Sequence, residues 1–290
     1  MVSYRASAIS LLSSCFAFAS EENQRFSERN ELYDAVRRYI GTDACMSSTD
    51  GNGCDVGQTY GWPMNTWDVS NVTGMWFLFW NQFESNLFRS FNEDISDWNV
   101  SQVTDMGGIF FTARSFNGNL SRWDTSKVMH MDSMFEGATS FNGDLSLWHT
   151  SKVVDTRNMF AGATSFNGNL ALWDTSKVFY MGRMFAGATS FNGNLALWDV
   201  SKVIHTTDTF EGATSFNQDL CAWQDKFTYK DYKNMFNNSG CMFQDDPNEQ
   251  EGGPFCASCP EVKNDGATTV TLINVVTVFA ATLIFVQNIL

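Results

Sequence analysis

Positive charge is scarce: 18 Lys and Arg face 32 Asp and Glu in 290 residues, a formal net charge of −14. A nucleic-acid partner is excluded on that ground, because a phosphate backbone needs a stripe of Lys and Arg. Acidity of this size mainly serves solubility. Histidine is rarer still, with His130 and His205 falling in expected helix phases and His149 on an expected strand. No H-E-x-x-H, G-x-S-x-G, phosphate loop or dinucleotide fingerprint occurs, and carboxylate pairs arise by chance among so many acids. Missing too is the Gly-rich nonapeptide period of calcium-binding solenoids. The chain therefore reads as a non-enzyme, with no cofactor and no metal centre expected.

What it has in abundance is aromatic residues, 26 Phe and 10 Trp, locked to a period. Trp98, Trp123, Trp148, Trp173, Trp198 and Trp223 lie 25 residues apart, and Trp67 precedes Trp98 by 31. A fixed period with an apolar residue at each phase indicates a repeat solenoid, and such aromatics are core ladders. In the coil from Leu145, Leu145, Trp148 and Thr150 have the inward spacing of a short parallel strand. One coil earlier, Val128, Met131, Met134 and Phe135 give one apolar stripe of a short helix, with Ser126 as its N-cap and Gly137 as its end. Phe141-Asn142-Gly143 then turns the chain. Stacking is expected to place like rings about 4.8 Å apart along the axis. The column Asn117, Asn142, Asn167, Asn192 and Asn217 is expected to bond backbone between coils. The predicted fold class is an α/β repeat solenoid whose coils are strand plus helix.

The run Leu-x-x-Trp-Asp-Thr-Ser-Lys-Val-x-x-Met-x-x-Met-Phe-x-Gly-Ala-Thr-Ser-Phe-Asn, clearest from Leu170 to Asn192, resembles the repeat of BspA-like leucine-rich-repeat surface proteins. The resemblance covers residues 61–243 in seven copies. It implies leucine-rich-repeat-like coils, extracellular display and binding of a protein or matrix polymer. Val153 departs from the pattern, standing where an Asn or Cys would fall.

The ends differ from the array. Residues 1–19 read as a signal peptide, although Leu12-Ser13-Ser14-Cys15 also resembles a lipoprotein box. Residues 20–60 form an N-terminal cap with a helix over 27–40, capped by Ser27. The repeats occupy 61–243, and a cysteine-containing cap and linker follow over 244–266. Cys45 and Cys54 are expected to close one disulfide. Cys221, Cys241, Cys256 and Cys259 allow three pairings, with Cys221–Cys241 and Cys256–Cys259 the first choice and the crossed arrangement equally legal. The stretch 267–290 is uncharged and apolar, either a transmembrane helix or a GPI signal. These features predict a membrane-anchored protein with its repeats at the cell surface. Asn71, Asn99, Asn119 and Asn237 begin N-glycosylation sequons.

The candidate binding face comes from residues flanking each Trp, which should point outward on a concave strand face. Asp68, Asp124, His149, Asp174 and Asp199 form one column, and Leu147, Leu172 and Leu197 an adjoining apolar strip. A structural alternative has the acids pairing with Lys177 and Lys202 or capping the following helix.

Overall fold

A computed structural model describes residues 24–80 and 88–259. The expected signal peptide (1–19) and apolar tail (267–290) lie outside them. Among the described residues no helix is long and apolar enough to cross a membrane.

The described chain is a stack of seven coils, and the coils are built of turns. Single parallel bridges run Gly74, Asp105, His130, Asp155, Tyr180, His205, Asp231, one residue per coil. No extended strand forms among the described residues; the named helices lie at the ends of the array, and within it Phe88 and Arg89 are helical. This corrects the expected α/β solenoid of strand-plus-helix coils. Main-chain hydrogen bonding supplies the reason.

Take the stretch expected to be helical. An α-helix sends each N–H to the carbonyl four residues back. Here alternate N–H groups leave the coil instead. Thr156, Asn158, Phe160 and Gly162 donate to the carbonyls of Tyr180, Gly182, Met184 and Ala186 in the next coil, at 2.7–3.0 Å. The groups between them close tight turns: Met159 donates to Thr156, Ala161 to Asn158 and Ala163 to Phe160. Such a path requires left-handed residues, supplied at Asn158 (φ 56°) and Gly162 (φ 67°). The preceding coil repeats this with Ser133 and Gly137, so Gly137 lies inside the turn series and ends no helix. Val128, Met131, Met134 and Phe135 are all buried, as their apolar pattern demands, but from consecutive turns.

The expected strand fails for a different reason. Around Trp148 the side chains do alternate, with Leu147 and His149 outside and Trp148 and Thr150 inside. Neighbouring coils are joined there by side chains, however. The Thr150 hydroxyl donates to the carbonyl of Asp174, and the Trp173 indole N–H to that of Leu145. Leu145 also accepts the Trp148 amide of its own coil, which uses both lone pairs of its oxygen.

Packing follows from this register. Phe135 and Phe141 stack within a coil at 3.9 Å. Between coils Phe135 and Phe160 lie 5.5 Å apart, Phe141 and Phe166 5.9 Å, and Trp148 and Trp173 6.4 Å. These ring spacings exceed the expected 4.8 Å. The Asn column bonds as expected, each amide oxygen accepting the main-chain N–H of the next Asn, as Asn117 does from Asn142 and Asn142 from Asn167. Its members are exposed rather than buried.

Both ends are covered. Helix α1 (Arg29–Ile40) buries Leu32, Ala35, Val36, Tyr39 and Ile40, and the short helices α2 (Asp43–Met46) and α3 (Asp55–Tyr60) follow it. Tyr39 meets Trp67 edge-on at 5.5 Å, closing the Trp column. Burial pushes the Tyr39 hydroxyl up to about 12. The expected Ser27 cap is not made; Glu28 holds the N-cap position without a side-chain bond. The Glu31 carboxylate instead accepts from the amide and hydroxyl of Ser27, the residue before the N-cap. Cys45 and Cys54 are joined as expected. At the other end the pairs are Cys221–Cys259 and Cys241–Cys256, which corrects the first-choice pairing. The fold explains the nesting: Leu220 donates to the carbonyl of Phe255, laying the terminal segment against the last coil. Asp246 accepts from the amides of Asn234 and Met235. Asn234 occupies the phase whose N–H, in interior coils, bonds the next coil.

Two outcomes test this account. Gly162→Ala should cost about 1–2 kcal/mol in urea unfolding, the penalty of a left-handed non-glycine residue. Space is not the obstacle, because the nearest atoms to an added Cβ lie 3.8 Å away. Gly162→Asn should cost less, since Asn238 already occupies this phase with φ 55°. Removing the ladder terminator, Asp246→Ala, should cost about 1.5–3 kcal/mol by stranding two main-chain donors.

Candidate recognition face

The two columns flanking Trp have different structural roles. Asp124, Asp174 and Asp199 each fold back on their own turn, Oδ1 accepting the amides of Ser126, Ser176 and Ser201 at 3.0 Å. Asp68 does the same with Ser70 and also pairs with Arg25. These Asx turns fix the corner after each Trp. Since no helix follows, helix capping by these acids is ruled out along with the strand. His149 departs from the column: its amide donates to the Thr125 hydroxyl instead.

The adjoining column is open. Leu147, Leu172 and Leu197 are 72%, 80% and 74% exposed. Earlier members of this column are polar and engaged, with Arg122 paired to Asp97 and Asp97 bonded to Asn65. The apolar strip is thus confined to three successive coils. The structure brings Leu147, His149, Leu172, Asp174, Leu197 and Asp199 onto one face, with Asp124 one coil before and Asp68 at the N-terminal end. The face is built from turns, not from a concave sheet.

Asn71, Asn99, Asn119 and Asn237 are all exposed. The side chains of Asn99 and Asn119 accept from the amides of Ser101 and Ser121, so these two sequons coincide with Asx turns.

Two features escaped the sequence reading. Met129 and Phe179 are exposed, with half-buried Val154 and Ile204 in the same phase, a second apolar strip just before the bridge residues. Their residues fall in the stretch expected to be helical. His130, Asp132 and Asp155 also converge across two coils. A search of the sequence for side chains one period apart at the bridge phase would have found this pair of coils.

With this geometry in view, the comparisons decide the family. A family model described as "Mycoplasma protein of unknown function, DUF285" matches residues 55–170 and 143–249. The two matches span most of the chain. The chain belongs to this family. The DUF285 segments begin at α3 and end in the C-terminal cap, so they take in all seven coils. No curated protein and no solved structure matches the chain.

Electrostatics of this DUF285 face gives a pH prediction. Hydrogen bonds from the Ser126, Ser176 and Ser201 hydroxyls and amides hold Asp124, Asp174 and Asp199 below the usual carboxylate range. Bonds from Ser146 do the same for Asp144. A depressed folded pKa contributes stability above the unfolded value, about 4, that is lost as pH falls through the folded value. Glu93 and Asp132, which burial pushes up, act in the opposite sense but are fewer. The melting temperature should therefore fall steadily below pH 4. Asp174→Asn, which retains the turn acceptor, should leave stability at pH 7 nearly unchanged and make that fall shallower.

Proposed function

We propose that the array is an extracellular recognition module that binds another protein or a matrix polymer through Leu147, Leu172 and Leu197. One observation carries the reading: three leucines stand in register, largely exposed, on a face whose Asp side chains are engaged in turns. Large apolar side chains left open together are a recurrent mark of interaction surfaces. Three disulfides support an oxidising compartment. The resemblance to BspA-like surface proteins points the same way. On this reading the chain acts at a cell surface, and its repeats, not a catalytic centre, do the work.

A second reading has its own support. Stacked Phe and Trp columns closed by disulfide-bonded ends would serve equally as a stiff spacer without a ligand.

The test uses oxidised, monodisperse protein on panels of extracellular proteins and polysaccharides. Saturable binding is expected, weakened at least tenfold by replacing Leu147, Leu172 and Leu197 with Ser. Because these side chains are exposed, the triple variant should melt within a few degrees of the parent. Binding that survives the substitutions would remove this face. Absence of binding from a folded sample would favour the spacer.

A further inference from the structure

The bridge phase carries a different chemistry from the Trp face. His130 and Asp155 are bridge partners in adjacent coils, and Asp132 lies two residues beyond His130. One donor atom from each of the three lies within 4.8 Å of the others. We propose that His130, Asp132 and Asp155 form a divalent-cation site, selective for ions of the zinc and manganese class, that staples two neighbouring coils.

Three observations support the assignment. The donor set mixes one imidazole with two carboxylates, which suits first-row transition ions such as zinc and manganese better than calcium or magnesium, whose sites are built of oxygen alone. Negative charge is in excess there. Asp105, Asp132 and Asp155 lie near Arg157, which pairs with Asp155, and Asp105 also faces Arg29. Three carboxyl groups against two guanidinium groups favour a further cation. Finally, two of the donors lack side-chain partners, although the Asp132 carboxylate accepts its own main-chain N–H. Among the described residues neither the His130 imidazole nor the Asp132 carboxylate bonds another side chain, although burial and the two neighbouring carboxylates push Asp132 up.

Position 107, one coil before Asp132 in this phase, is glycine. A Cβ there would meet both Asp105 Oδ1 and Asp132 Oδ1 at 3.2 Å, a tight contact that the glycine avoids. Other coils cannot repeat the site, because the phase of Asp132 is occupied by Arg157, Gly182 and Thr207 in those that follow. His205 returns to the phase of His130, but it pairs with Asp231 beside Thr207.

Titration calorimetry and thermal melting of the full oxidised chain, first stripped with chelator, test the proposal. Zn²⁺ and Mn²⁺ are the probes, with Ca²⁺ and Mg²⁺ as comparisons. The expected result is one saturable site for Zn²⁺ or Mn²⁺ and a melting temperature that rises with ion concentration, because the ion binds only the folded site. Both His130→Ala and Asp132→Asn should weaken binding at least tenfold. Metal-free melting of each variant should stay near that of the parent, since neither side chain bonds another. Absence of saturable binding by the parent, equal binding by both variants, or tighter binding of Ca²⁺ and Mg²⁺ than of Zn²⁺ and Mn²⁺ would overturn the assignment.

Discussion

The 25-residue coils must satisfy their main chain without a helix or a sheet, and the stack solves this by dividing the N–H groups between two tasks. Over Thr156–Ala163 alternate donors close turns and bond the next coil. Neither set suffices alone, since buried main-chain groups left unpaired are costly. An isolated coil would strand half of its donors, so coils are stable only as neighbours. The ends then become a structural problem of their own. Helix α1 covers the first Trp, and Asp246 takes two amides at the last coil, where no further coil offers a carbonyl.

This division also fixes the repeat length. From Trp123 to Trp223 each indole of the column donates to a carbonyl 28 residues earlier, as Trp148 to Leu120 and Trp198 to Leu170. A shift of one residue would break the indole bond, the Asn column and the main-chain ladder together. Additions are tolerated only between columns. Six extra residues lie between Phe79 and Phe91, for Phe79 still stacks on Phe110 at 5.4 Å and Phe91 on Phe116 at 5.8 Å. The single added residue after Trp223 leaves Phe236 on Phe210 at 5.6 Å.

Much of this was legible from the residues and some was not. The period, the buried Trp and Phe columns, the outward leucines and the Asn ladder follow from phase alone. The local conformation does not. Val128, Met131, Met134 and Phe135 fit a helical stripe and a series of turns equally well, and only the neighbouring coil's carbonyls decide between them. Nor does the inward spacing of Leu145, Trp148 and Thr150 say whether backbone or side chains join the coils. His130 and Asp155 escaped notice because they look unrelated in the chain and meet only across the bridge. Four cysteines cannot declare their pairing until the path of residues 241–259 over the last coil is known.

Where function can reside follows from which phases the architecture leaves uncommitted. Trp, Phe, Thr, the turn Asp and the ladder Asn each have a structural partner in nearly every coil, so their recurrence reflects the stack and not a ligand. The Asp column is the clearest instance: read alone it suggests an acidic binding face, yet its oxygens are engaged by the next Ser. Two phases behave differently. One runs Asp97, Arg122, Leu147, Leu172, Leu197, Ala222, and the other Gly107, Asp132, Arg157, Gly182, Thr207. Residues in these phases change charge, size and polarity from coil to coil without disturbing the register. A position the fold does not dictate is free to be dictated by a partner, and these two phases hold the exposed leucines and the Asp132 carboxylate, which bonds no other side chain among the described residues.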